Sequence, residues 1–361
     1  MTKKRSAGGK ALKIVGIVLL VILLLILLVV LAAYAYYHSK IEMLQPDETR
    51  APDATLSAQE QEELDKEGEE LNGEMEDILN GMENMDPVVP TDPPATQPPE
   101  EAHKVYNILL IGTDERTEGF SQNARGDSCL LLSINDSGDH PVVSLVSFER
   151  GMGVPILEGQ YQGQWDWLTH TFRYGGADLM LKEIRYCFNV DVDHYVRVNF
   201  TSFEKGIDLV GGVDVHMDAT EMVYFQNAYK FPAVEGMNHL NGKLALNYAR
   251  LREIDSDWVR IQRQREVIFS AFSQLRKMSL PEADQLINNL IPLVRTNLTE
   301  ETITQLLLLL PKLPNAEFQQ MTIPAKGTYG AMTGMGGRGL FAVDFQKNSE
   351  ILHDFIYGTE E

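Results

Sequence analysis

The pattern of apolar and polar positions changes twice along the chain and divides it into three textures. From Ile14 to Tyr37 no side chain is charged, and most are Leu, Ile or Val. About 20 helical residues, each rising about 1.5 Å, span a hydrocarbon core about 30 Å thick. Residues 14–37 are therefore expected to form a transmembrane helix. Tyr34, Tyr36 and Tyr37 fall where an interfacial aromatic belt would sit. Lys3, Lys4, Arg5, Lys10 and Lys13 make residues 1–13 a basic tail. Basic flanks stay in the cytoplasm, so everything after the span is expected outside the cell. The rival reading is a cleaved signal peptide ending near Ala33-Tyr34-Ala35, but signal cores are shorter, about 7–15 residues.

The apolar periodicity then disappears. Residues 41–104 carry 19 acidic side chains against Arg50, Lys66 and Lys104, and Pro87–Pro99 reads PVVPTDPPATQPP. Such a segment buries too little apolar surface to offset chain entropy. Residues 38–104 are thus expected to be an acidic, proline-rich disordered stalk, with a transient acidic helix over Leu56–Met82.

From residue 105 to 361 the texture is that of a folded domain. Tyr106–Gly112 (YNILLIG), Cys129–Ile134 and Val142–Phe148 predict buried strands. Gly175–Phe188 has helical apolar spacing. Tyr195–Val198 predicts a strand, Phe203–Leu209 a helix stopped by Gly211-Gly212, and Val213–Met217 a strand. Helices are expected over Asn241–Asn247, Trp258–Met278, Pro281–Leu290 and Thr299–Leu310. A strand at Met321–Pro324, a glycine-rich turn at Gly334–Gly339, a strand at Phe341–Phe345 and a helix at Ser349–Tyr357 complete the domain. This alternation predicts an α/β fold, a mixed central sheet flanked by helices in an α/β/α sandwich.

Charge changes the picture next. The 361 residues have a formal net charge of −21, which argues against a nucleic-acid partner, since duplex binding needs a basic face. Cys129 and Cys187, each in an apolar run, are expected to be buried free thiols. The alternative is one bridge between them. No cysteine or histidine spacing suggests zinc. His170, His194, His216 and His239 are scattered and read as structural. Against the acidic background, Asn241–Glu266 (NGKLALNYARLREIDSDWVRIQRQRE) holds five arginines. Arginine suits bidentate recognition of phosphate.

Arg250 and Arg252, two apart, share a face if that segment is extended. Arg260, Arg263 and Gln264 share one face of a helix. Two predicted strand ends add a carboxylate and an arginine each, in Gly112-Thr113-Asp114-Glu115-Arg116 and Arg125-Gly126-Asp127-Ser128. Open α/β sheets bind ligands at such ends. Asp114 and Asp127 are suited to a shared Mg²⁺, which takes one or two carboxylates plus substrate phosphates. These residues alone leave two readings level, a phosphate site and surface ion pairs with Glu253, Asp255, Asp257 and Glu266. The run Leu306–Leu310 fits a core helix or a lipid-lined wall, and the two are compatible.

Four blocks break the tie. NILLIGTDER, RGDSCLLLSIN, HTFRYGGADLMLKEI with DHYVRVNFTSFEKGIDLVGGVDV, and LNGKLALNYARLR with DWVRIQRQ together resemble the LytR-CpsA-Psr family of cell-wall proteins. The likeness runs from Asn107 to about Ile268. It implies a phosphotransferase that moves a glycopolymer, teichoic-acid-like or capsular, from an undecaprenyl-pyrophosphate carrier to peptidoglycan through a phosphodiester. It implies an α/β sandwich with an apolar tunnel for the lipid, and a single-pass membrane protein of a Gram-positive-type envelope with its domain outside. The family's pyrophosphate-binding positions fall on Arg125, Arg150, Arg250, Arg252, Arg260 and Gln264, and its metal-linked aspartates on Asp114 and Asp127, for Mg²⁺ or alternatively Mn²⁺. The expected catalytic set is Asp114, Asp127, Arg250 and Arg252, with Asp114 the candidate general base. One block departs. Where the family has Pro-Arg-Asp, this chain has Glu149-Arg150-Gly151, and Glu149, one residue earlier on a strand, is expected to face away from Arg150. The alternatives are a non-catalytic lipid- or wall-binding module and a polyprenyl-pyrophosphate pyrophosphatase. Arg263 and Arg265 are left as surface or salt-bridge residues.

Overall fold

Two apolar stretches, residues 105–112 and 128–135, become neighbours at the centre of a sheet. β1 (Val105–Gly112) and β2 (Ser128–Asn135) run antiparallel, with Leu109 opposite Leu131 and Ile111 opposite Cys129. Helices cover both faces, which is why these strands read as apolar runs and not as alternating ones. β3 (Val142–Phe148) adds antiparallel to β2. β4 (Gly153–Pro155) and β5 (Trp165–Trp167) form a short ribbon. β6 (His194–Val198) pairs parallel with β1, and β7 (Val213–Met217) with β8 (Gly236–Leu240) makes a second ribbon. β9 (Arg295–Thr296) and β10 (Glu317–Ile323) complete the sheet, in the order β10-β3-β2-β1-β6-β9. The last hairpin, β11 (Tyr329–Thr333) and β12 (Gly339–Val343), turns through the glycine-rich run.

This computed structural model describes residues 47, 50, 54–91, 105–115, 119–309 and 311–358. The expected cytoplasmic tail 1–13 and transmembrane helix 14–37 lie outside the described residues, among which no helix is long and apolar enough to cross a membrane. The mixed α/β architecture matches the expectation. On one face of the sheet, α2 (Leu168–Phe188) and α9 (Phe345–Tyr357) pack against Leu109, Ile111, Leu131 and Val146. On the other, α6 (Asp257–Leu275) and α8 (Glu300–Leu309) meet Leu130, Leu132 and Leu145 through Ile268, Phe272 and Leu306. A third apolar cluster is built by the β7–β8 ribbon with α3 (Phe200–Leu209), α4 (Ala219–Tyr229) and α5 (Gly242–Arg250). α7 (Leu280–Leu290) follows α6. Cys129 and Cys187 are both buried and unpaired, and burial raises both thiols.

The stalk expectation for 38–104 is corrected within its described part. Residues 58–79 form α1 (Ala58–Leu79), which starts in a Ser57–Glu60 capping box. Glu62, Glu63, Asp65, Glu69, Glu76 and Asp77 are exposed, while Leu64, Leu71 and Met75 are buried in the domain. Asn72 Oδ1 accepts from the Gly339 backbone N–H at 2.6 Å. Beyond the helix, Asn84 and Val88 bridge to Ala331 and Asp344. The helix expected over Leu56–Met82 is present, but high charge hid its docking, because one apolar stripe at every third or fourth position suffices to bury a face. Two further differences are local. α2 begins seven residues before the expected Gly175, which lies within it at a Gly175-Gly176 break with Gly176 at φ +68°. α4, capped by an Asp218–Glu221 box, has no counterpart in the expected elements.

Candidate active site

The arginine-rich stretch folds as two helices and the turn between them. Asn241 caps α5, its side chain accepting from Leu244 N–H at 3.0 Å. The helix ends at Arg250, and Leu251 is extended. Arg250 and Arg252 therefore do not share an extended segment, as the spacing had suggested. Arg250 closes a helix and Arg252 lies in the turn before α6. Both still line one cavity of about 430 Å³ against the end of β1. Its apolar part is Leu110, Leu130, Phe200, Phe203, Leu246 and Ile268, and its polar part includes Arg125, Asp127, Arg250, Arg252, Arg260 and Gln264.

Each polar residue is held in place. Arg250 lies over the Phe200 ring, 4.2 Å from its centroid, an arrangement that orients a guanidinium without neutralising it. Arg260 and Gln264 sit one turn apart on α6. Gln264 Oε1 accepts from the Ser128 hydroxyl at 3.1 Å, and its amide donates to Ala249 O at 3.3 Å, tying α6 to β2 and α5. Arg125 joins the two aspartates. Its Nε donates to Asp114 Oδ2 at 3.1 Å and its Nη2 to Asp127 Oδ2 at 3.4 Å, while its backbone N–H donates to Asp114 Oδ1. Asp114 is thus brought to the site through Arg125, although it does not line the cavity. One cation already bridges the two carboxylates. That is the donor set Mg²⁺ uses when substrate phosphates complete its shell, so the pair fits the ion. Among the described residues there is no cluster of three or more His, Cys, Asp or Glu that would hold a metal unaided.

Arg150 also lies off the cavity lining and is joined to it by a residue that the sequence offered only as a surface ion-pair partner. Asp257, the first residue of α6, receives Arg260 Nε at 2.9 Å, Arg150 Nε at 3.2 Å and Arg252 Nε at 3.7 Å on the same Oδ1. Three guanidinium groups converge on one buried carboxylate. Burial pushes that carboxylate's pKa up, but Arg260 and Arg150 outweigh it and hold the group below its ordinary value. Arg252, half-buried and beside Arg260 and Arg150, is lowered to about 10 and remains a cation at neutral pH. The signal for Asp257 was present in the sequence, as an acid at a helix start three residues before Arg260.

Glu149 is a second correction. It follows β3 and lies in a turn, where strand alternation no longer applies, and its backbone N–H donates to Ile323 O. Its carboxylate curls back to accept from Gly151 N–H and faces Asp257. Burial, with the charge of Asp257 beside it, raises Glu149 to about 8. Arg263 and Arg265 stay out of the cavity, as expected, but both are buried. Arg263 pairs with Glu221 and Asp255, and Arg265 with Gln320 and Thr322 of β10.

A profile of the LytR_cpsA_psr family matches residues 59–352, which take in α1 from its second residue onward. The polyisoprenyl-teichoic acid–peptidoglycan teichoic acid transferase TagU of Oceanobacillus iheyensis is 32% identical over 210 residues, covering 56% of this chain and 61% of that protein. TagT of Bacillus subtilis, of the same description, is 28% identical over 223 residues, 60% of this chain and 67% of that one. The alignment thus spans about three-fifths of the first of these relatives. Among solved structures, TagT bound to LIIa-WTA superposes with a TM-score of 0.56 at 22% identity, over 76% of this chain and 100% of that one. That likeness carries the fold.

Proposed function

The chain belongs to the LytR-CpsA-Psr family, and from that premise we propose that it transfers a teichoic-acid-like or capsular glycopolymer from an undecaprenyl-pyrophosphate carrier to peptidoglycan. The observation that carries the reading is the two-part cavity, with apolar walls that suit a prenyl chain continuous with an arginine cluster that suits its pyrophosphate. The relatives named above are described as transferases acting between a polyisoprenyl-linked polymer and peptidoglycan, which supports the same substrates here. Residues 14–37 would anchor the enzyme, with the domain outside the membrane.

The reaction asks the protein mainly for position and charge. Arg250, Arg252 and Arg260 would bind the pyrophosphate, Gln264 orienting beside them and Arg125 and Arg150 adding charge from the strand ends. A peptidoglycan hydroxyl oxygen attacks the glycan-bearing phosphorus, and an O–P bond forms. The P–O bond to the bridging oxygen breaks, and prenyl phosphate departs with that oxygen. The hydroxyl's proton goes to a carboxylate, for which Asp114 is our candidate. Asp114 and Asp127 would hold Mg²⁺, which when bound supplies charge neutralisation for the leaving phosphate.

Transfer of a lipid-linked glycan to peptidoglycan by the Arg252→Ala and Asp127→Ala proteins tests this. Loss of a preorganised positive group should lower the rate about 10²–10³-fold. Wild-type rates from both variants, with folding verified by circular dichroism, would reject the site. Release of prenyl phosphate at an unchanged rate without peptidoglycan would instead make water the acceptor.

A further inference from the structure

Glu149 and Asp257 stand at the meeting of β3 and α6, with 1% and 8% of their surface exposed. Their side chains lie within hydrogen-bonding reach of each other. Two ionised carboxylates are acceptors only, so this contact requires one proton between them. The surroundings say where it resides. Asp257 is the partner of Arg150, Arg252 and Arg260. Glu149 has the Gly151 N–H and the nearby charge of Arg150. Around it, Tyr329 of β11 is the other titratable group that feels its charge. Met75 of α1 covers Gly151, with Met75 Sδ 2.7 Å from where a Cβ at that glycine would stand, and Glu149 Oε2 is 3.0 Å from the same point. The proton therefore belongs to Glu149, which donates it to Asp257.

We propose that Glu149 and Asp257 act as a singly charged, proton-sharing unit that positions Arg150, Arg252 and Arg260, and that loss of the shared proton weakens anion binding by these arginines. The inference rests on the pyrophosphate-site reading above. With the proton in place the five side chains carry two net positive charges. All three arginines approach Asp257 Oδ1 through Nε, and Arg260 also donates from Nη2 to Asp257 Oδ2 at 2.9 Å, so this one carboxylate sets the orientation of all three guanidinium groups. Without the proton the net charge falls to one, the two carboxylates repel, and an ionised Glu149 competes with the ligand for the same guanidinium groups. Glu149 and Asp257 are positioning residues, since neither lines the cavity. The raised pKa of Glu149 puts the transition on the alkaline side of neutrality.

The test is calorimetric binding of geranylgeranyl pyrophosphate to the full chain in detergent micelles. Wild type, Glu149→Gln and Glu149→Ala are compared from about pH 6.5 to about pH 9.5, which spans one unit or more on each side of the transition. Ionisation of the ligand is common to all three proteins and cancels in the comparison. The amide of Glu149→Gln keeps a donor for Asp257 and never ionises. This variant should bind as wild type does near neutrality and outbind it above the transition, by up to about tenfold per pH unit. Glu149→Ala should bind more weakly throughout. A Glu149→Gln curve that superimposes on wild type over the whole range overturns the proposal even if Glu149→Ala fails to fold. Absence of wild-type binding at every pH overturns the pyrophosphate-site reading, and this proposal with it.

Discussion

Cutting the chain at residue 105, where sequence texture alone would place the domain boundary, should cripple the domain. α1 lies before that point and buries Leu64, Leu71 and Met75 against it. Burying a Leu or Met side chain contributes about 2 kcal/mol, so the three contribute about 6 kcal/mol. Ordering the helix offsets part of that, and the net loss we expect is about 3 kcal/mol. Removing α1 also takes Asp65 from Arg338, which is buried beside Asp166, and the Asn72 acceptor from Gly339. For a domain of this size about 3 kcal/mol corresponds to a fall in Tm of about 6–12 °C. Differential scanning calorimetry of residues 54–361 and 105–361 measures it directly, with Leu64→Ala in the longer protein as an independent point test, expected to cost about 2–5 kcal/mol because the cavity it leaves is not offset by any release of ordered chain. Equal melting temperatures for the two lengths, and a silent Leu64→Ala, would show that α1 rests on the domain without stabilising it.

Leu246→Trp should fill the apolar part of the cavity and lower affinity for geranylgeranyl pyrophosphate at least about tenfold, while inorganic pyrophosphate still binds the arginines. A parallel loss of both ligands would mean that the two parts are not separate. Glu183 is fully buried on α2, and burial holds its pKa well above the ordinary 4.5. The folded state keeps a proton that the unfolded state gives up, so its contribution is complete below about pH 4.5 and is lost as pH rises toward the folded value. Glu183→Gln should therefore flatten the decline in urea midpoint between about pH 5 and about pH 8, and an unchanged slope would contradict this.

Strands such as YNILLIG were legible because their burial on two faces writes itself as a continuous apolar run. Helix α6 was legible through its periodicity. The arginines that the spacing singled out do line one cavity, but not on the extended segment that the spacing assumed. Arg250 and Arg252 meet there across a helix end, since backbone conformation at a two-residue spacing is not encoded in the spacing. Asp257 and Glu149 were misread for a common cause. The sequence shows that acids lie near arginines, but only packing decides whether the pair faces water or is buried, and the same pair has a different character in each case. α1 was expected as a transient helix, but its docking was not, because composition is an average, whereas its burial depends on three side chains in one stripe.

The cavity lies where two apolar clusters stop short of each other. Leu110, Leu130 and Ile268 on one side belong with the sheet, and Phe203 on the other belongs with the β7–β8 ribbon. For a carrier whose tail already resides in a bilayer, moving into this gap exchanges one oily surrounding for another. No water is released from the tail, so the hydrophobic gain that would accompany transfer from solution is largely absent. Selection among membrane lipids would then fall to the guanidinium groups that read the headgroup. The same near-neutral exchange would let the spent prenyl phosphate slip back into the membrane once its charge is no longer gripped.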